Sequence, residues 1–173
     1  MIPGQDCKWA VAIAPQVIKD NAAWTATEID TAGYSYCTIC VTVGATDIAM
    51  AALTLTESDT SGSGFANVTG AIWGTSTNIA GATSTLPSAT DDNKNFVFQV
   101  DLRLRKRYLK LSATAGNGTS GTYACAVAML SRAAVGPTTA ATAGAAGHER
   151  GRRTGSQPSR LRSRTPRSRR GTR

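Results

Sequence analysis

The sequence predicts an all-β fold: a two-sheet antiparallel sandwich, jelly-roll-like, of about eight strands, with a disordered C-terminal tail. Three observations predict it. Apolar and polar residues alternate with period two in segment after segment, which sends successive side chains to opposite faces of a strand. Gly, Asn, Asp, Ser and Pro, the residues of turns, separate those segments. No segment keeps a 3.6-residue apolar period for more than about a turn or two, so no amphipathic helix is predicted. Strand count alone does not separate a jelly roll from an immunoglobulin-like sandwich.

Each element follows from its own pattern. Cys7, Trp9, Val11 and Ile13 share one face of a first strand that Pro15 ends, and 24–29 reads as a weaker second strand. Over 34–43, Cys37, Ile39, Val41 and Val43 lie on one side and Tyr36, Thr38, Cys40 and Thr42 on the other; 44–47 reads as a turn. Next comes 51–58 with Leu53 and Leu55 inward, then the acidic Gly/Ser-rich loop 57–64 and a strand near 65–73. A long Thr/Ser/Gly/Asn segment, 74–94, precedes the clearest alternation, in which Phe96, Phe98, Val100, Leu102 and Leu104 face in and Gln99, Asp101, Arg103 and Arg105 face out. After the basic turn 103–107, Leu109 and Leu111 point inward from 108–115. Gly116-Asn117-Gly118 turns the chain. The last strand, 122–130, carries Tyr123, Cys125, Val127 and Met129 on one face.

Composition divides the chain. A sandwich domain is expected over 1–132, a size that buries roughly two-thirds of its unfolded surface. Segment 133–147 is Ala, Thr and Gly with one Pro. It has too little apolar surface to offset its ordering entropy, and a flexible linker is expected. Segment 148–173 holds ten arginines against one acid, a net charge of +9, in a Ser/Pro/Gly/Thr background expected to be disordered. Residues 1–147 carry nine basic and ten acidic side chains, a net charge of −1, so the high pI describes the tail. No stretch approaches the roughly 20 apolar residues of a membrane span. The N-terminus lacks a basic region followed by an apolar one, so the expectation is a soluble chain made in the cytoplasm.

The sequence offers little chemistry. The only histidine, His148, stands in the tail, which leaves the sandwich without an imidazole base, and no enzyme is expected. Cys37 and Cys40 form a C-x-x-C, but three residues apart on a strand they face opposite ways, and no second pair stands at zinc spacing. The carboxylate pairs Glu57/Asp59 and Asp91/Asp92 lie in polar loops as turn formers. No metal and no cofactor are expected. The Gly-rich triplets 62–64 and 116–118 lack the strand–loop–helix setting of a phosphate cradle.

Two basic groups stand as contacts for nucleic acid or an acidic partner. One is Arg103, Arg105, Lys106, Arg107 and Lys110, a hairpin turn that reads first as a solvated face. The other is the tail's Arg150, Arg152, Arg153, Arg160, Arg162, Arg164, Arg167, Arg169, Arg170 and Arg173, which would bind nucleic acid through counterion release. The tail has two further readings. One is a targeting or partner-binding arm. The other reading is a shifted frame in GC-rich DNA, since five of the nine basic residues before it are Lys and none of its own ten is.

Several stretches carry a resemblance: 22–33, 34–53 and 56–59; Leu86-Pro87-Ser88-Ala89-Thr90-Asp91-Asp92-Asn93-Lys94; Arg105-Lys106-Arg107-Tyr108-Leu109; 114–123; and Ala128-Met129-Leu130-Ser131-Arg132. Together, over about residues 5–132, they resemble small virion structural proteins of tailed bacteriophages. Among named groups they are most similar to jelly-roll head decoration, or cement, proteins. None of the stretches is a catalytic motif. The resemblance implies a non-enzymatic protein that binds the major capsid protein lattice and stabilises the capsid surface. It also implies a virion location and a homo-oligomer, a trimer being one form. No membrane partner is implied, and nucleic acid would enter only through the Arg-rich tail. Two alternatives accompany it: a small jelly-roll capsid protein with a nucleic-acid-binding arm, and a carbohydrate-binding module of a tail or fibre displaying Tyr34, Tyr36, Trp73 and Tyr108.

Overall fold

The structure, a computed structural model, describes residues 6–135 and 142–145. Eight strands form: β1 (Lys8–Ile13), β2 (Ile29–Asp30), β3 (Tyr34–Thr46), β4 (Ala52–Ser58), β5 (Ala66–Ile72), β6 (Lys94–Asp101), β7 (Tyr108–Thr114) and β8 (Thr122–Ala133). They make two four-stranded antiparallel sheets in the orders β1-β8-β3-β6 and β2-β7-β4-β5. First pairs with last, second with seventh, third with sixth and fourth with fifth. That winding is a jelly roll, which strand count could not decide.

One core lies between the sheets. Ile39, Val41 and Val43 of β3 and Leu53 and Leu55 of β4 are fully buried. Opposing them are Leu109 and Leu111 of β7 and the inward row Ala124, Ala126, Ala128 and Leu130 of β8. Three alanines in that row leave room for the larger aliphatics, as close packing at fixed sheet separation requires. Burying each large side chain contributes about 1.5–3 kcal/mol.

Four details differ from the alternation read along the sequence. In β1, Trp9 and Val11 point outward, 44% and 51% exposed, while Ala10 and Ala12 face in. Pairing decides this. Facing residues share a side, and the registers Ala10↔Ala128 and Val11↔Val127 put the alanines inward with the β8 alanines. A register shift between Val11 and Ile13 then buries Ile13 as well. The strand expected over 24–29 shrinks to Ile29–Asp30 plus isolated bridges at Ala23 and Ala26. Of the turn expected at 44–47, residues 44–46 are instead part of β3, whose register with β8 slips between Val43 and Thr46.

β6 stops at Asp101, where the alternation should have continued. The Asp101 carboxylate accepts the Arg103 amide at 3.1 Å and starts a 3-10 turn, Leu102–Leu104. Three residues per turn replace a period of two. Leu102 is therefore buried, and Leu104, expected inward, is 89% exposed.

Of the segment expected as a linker, 133–135 and 142–145 are described. Ala133 belongs to β8, and Ala143 is buried, its carbonyl accepting the Trp9 amide at 2.7 Å. Among the described residues no helix is long and apolar enough to cross a membrane.

Candidate interaction surface

The basic turn is matched side chain by side chain. Arg103 closes on Asp101, Arg105 lies 3.5 Å from Glu57, Lys106 3.6 Å from Asp59, and Arg107 donates to both Asp30 oxygens at 2.9 and 2.8 Å. Lys110 stands over the Phe65 ring at 5.7 Å, and Arg107 also over Tyr108 at 5.0 Å. The charge-assisted bonds hold Asp30 and Asp101 at about 2, well below the usual carboxylate range. Every cation here has a partner within the chain. The cluster is thereby a neutralised turn that ties the 57–59 loop to β7. The ten tail arginines and His148 lie outside the described residues.

The carboxylates of the other loops hold backbone. Asp47 accepts the amides of Thr119 and Ser120 at 2.6 and 2.5 Å, and Asp20 accepts that of Gly118 at 2.8 Å. Asp92 accepts the Thr46 amide at 2.8 Å. Asp91 accepts the Ser88 hydroxyl at 2.7 Å and Lys94 at 2.9 Å, which together hold it at about 2. Cys37 is in the core, where burial pushes its thiol up to about 12, while Cys40 looks out from the other face of β3. The opposite facing read from their spacing is what the strand gives. No group of three His, Cys, Asp or Glu able to hold a metal occurs among the described residues.

The aromatic candidates are scattered. Tyr36 lies under Arg132 at 5.0 Å in the first sheet, and Tyr108 under Arg107 in the second. Trp73 meets Phe96 and Phe98 edge-on, with ring centroids 5.1 and 6.2 Å away, so its ring is used in packing. They form no common platform for a sugar ring.

What the sheets do assemble is an uncharged face. On the outer side of the first sheet, the registers align Val11, Val127, Cys40 and Val97 in one row across all four strands. Beside it runs Trp9, Met129, Thr38 and Gln99. Next come Cys125, Thr42 and Asn95, with the Thr42 hydroxyl 2.8 Å from the Asn95 side chain. Trp9, Val11, Val97 and Val127 are all exposed, and no charged side chain stands within the three rows. An exposed apolar row across a whole sheet makes this face the candidate contact surface. Reading the strands one at a time misses it, because the row exists only through the pairing registers. The signal that was available is the lack of charge at the alternate positions Trp9 and Val11, Thr38, Cys40 and Thr42, Asn95, Val97 and Gln99, and Cys125, Val127 and Met129.

A groove of about 460 Å³ opens where β5 and β6, the free edges of the two sheets, come together. Ile72, Trp73, Phe98 and Val100 line it, with 76–79 on its other wall.

No family model, curated protein or solved structure matches this chain.

Proposed function

We propose that the sandwich is a non-enzymatic virion structural protein of tailed-phage type that binds and stabilises a capsid surface as a decoration or cement protein. The observation that carries the reading is the uncharged outer face of the β1-β8-β3-β6 sheet, with exposed Trp9, Val11, Val97 and Val127. Such a face attaches to protein rather than to a polyanion, because it offers apolar area and amide or hydroxyl groups but no cation. The resemblance of 5–132 to phage virion proteins supplies the partner class. Binding only the assembled shell, the protein would stabilise that state by mass action.

The test is cosedimentation of the full chain with shells assembled from the major capsid protein encoded beside its gene. Binding that persists at about 0.5 M salt and is lost in Val127→Glu is expected, since apolar contact is little screened. A chain that leaves the shells bare at every salt concentration sinks the capsid reading. Binding that vanishes with salt alone assigns the attachment to the Arg-rich tail instead.

A further inference from the structure

An antiparallel sheet is safe from edge-to-edge association only where its edges are short, bulged, charged or covered. Three of the four edges here meet that condition. β1 is covered at Trp9 by Ala143 and carries a register shift. β2 is two residues long. β5 pairs irregularly with β4 and contains Gly70 at φ +83°.

β6 meets none of them. It is eight residues long, its register with β3 runs unbroken from Lys94 to Asp101, and it contains no proline. Asn95, Phe96, Val97, Phe98, Gln99 and Val100, between its ends, are uncharged. Apart from the Lys94 amide, which donates to the Asp91 carbonyl at 3.3 Å, no described residue makes a backbone hydrogen bond to its outer edge.

We infer that β6 is a self-association edge, pairing antiparallel with β6 of a second copy to make one eight-stranded sheet across a two-fold axis. The ends fit that occupant. Lys94 is already paired with Asp91 and Asp101 with Arg103, so antiparallel approach brings no unpaired like charges together at either end of the seam. A two-fold that extends a sheet stands perpendicular to it, so facing residues point to the same side and the axis passes through one residue and its own copy.

Val97 is that residue. Around it Asn95 faces the second copy's Gln99, two amides that hydrogen-bond, and Phe96 faces the second copy's Phe98 on the inner side. Centring on Phe98 instead would set Val97 against Gln99 and Asn95 against Asp101, a poorer match of like with unlike. With Val97 on the axis, the apolar row Val11, Val127, Cys40, Val97 continues unbroken through the second copy. The inference does not depend on the capsid reading. It concerns a different surface, and a chain can dimerise whether or not it binds shells.

Analytical ultracentrifugation of the nuclease-treated full chain at moderate salt tests it. The wild type should sediment at twice the chain mass of 18.0 kDa. Val97→Lys and Val97→Glu should each sediment as monomers, because like charges meet at the axis, and an equimolar mixture should regain the dimer mass. Thermal melts of the variants check folding. Should Val97→Lys fail to fold, Gln99→Lys at the neighbouring outward site replaces it. A monomeric or trimeric wild type, a dimer indifferent to Val97→Lys, or a mixture that stays monomeric overturns the proposal.

Discussion

Thr46 and Thr122 place two hydroxyls 2.7 Å apart inside the sandwich, and Thr122 is fully buried. The Thr46 hydroxyl also lies 2.9 Å from the Ile48 carbonyl, which can only accept. Thr46 therefore donates to Ile48, and Thr122 donates to Thr46. The two positions are consequently unequal. Thr122→Val removes one donor and leaves Thr46 still donating, at a cost of about 0.5–1.5 kcal/mol. Thr46→Val strips the Ile48 carbonyl of that bond and leaves the buried Thr122 hydroxyl without an acceptor, at a cost of about 1–3 kcal/mol. Urea midpoints of the two variants should rank Thr46→Val below Thr122→Val, and the reverse order would contradict the assigned proton directions.

At the scale of the element, β1 is a short strand held from both sides: β8 pairs along one edge and the 142–145 turn docks on the other. Gly144 makes that docking possible. Its φ is +71°, and a Cβ there would fall 1.8 Å from the Trp9 carbonyl oxygen. Gly144→Val should release the turn, speed hydrogen exchange at the Trp9 amide by tenfold or more, on the order of the 1.4 kcal/mol that a lost hydrogen bond represents, and leave the β3 amides unchanged. Equal protection in variant and wild type would mean that the turn does not cover this edge. The same strand shows what the sequence could and could not disclose. Alternation located β3, β4, β7 and β8 and gave the inward sets of β3, β4 and β7, because large aliphatics there meet large aliphatics. In β1 it chose the larger residues as core, yet the alanine row of β8 requires Ala10 and Ala12 on the inside. The face of a strand is set by its neighbour. Leu104 likewise left the pattern through one Asp101 hydrogen bond that no periodicity encodes. The candidate surface was less legible still: from neighbour to neighbour along the row, Val11, Val127, Cys40 and Val97 stand 116, 87 and 57 residues apart in the sequence, and only the roll brings them together.

Across the whole molecule, the jelly-roll winding makes the two sheets interdependent. β1 pairs with β8 through contacts such as Lys8↔Leu130, so the first and last strands close the roll by a pairing of long sequence separation. The core is likewise one cluster, fed by both sheets, with Ile39 of β3 and Leu55 of β4 each fully buried in it. Neither sheet keeps a buried face without the other, and an open four-stranded layer with one apolar face bare to water has no independent stability. Unfolding should therefore be a single transition. Ile39→Ala and Leu55→Ala, each costing about 2–5 kcal/mol, should lower the midpoints seen by far-ultraviolet circular dichroism and by tryptophan fluorescence together, by the same amount for a given variant. If Ile39→Ala instead moved one signal and left the other, the sheets would be separate folding units. The continuous eight-stranded seam through β6 would then have to stabilise the first sheet on its own, and shifting the monomer–dimer balance with protein concentration would move only that first transition.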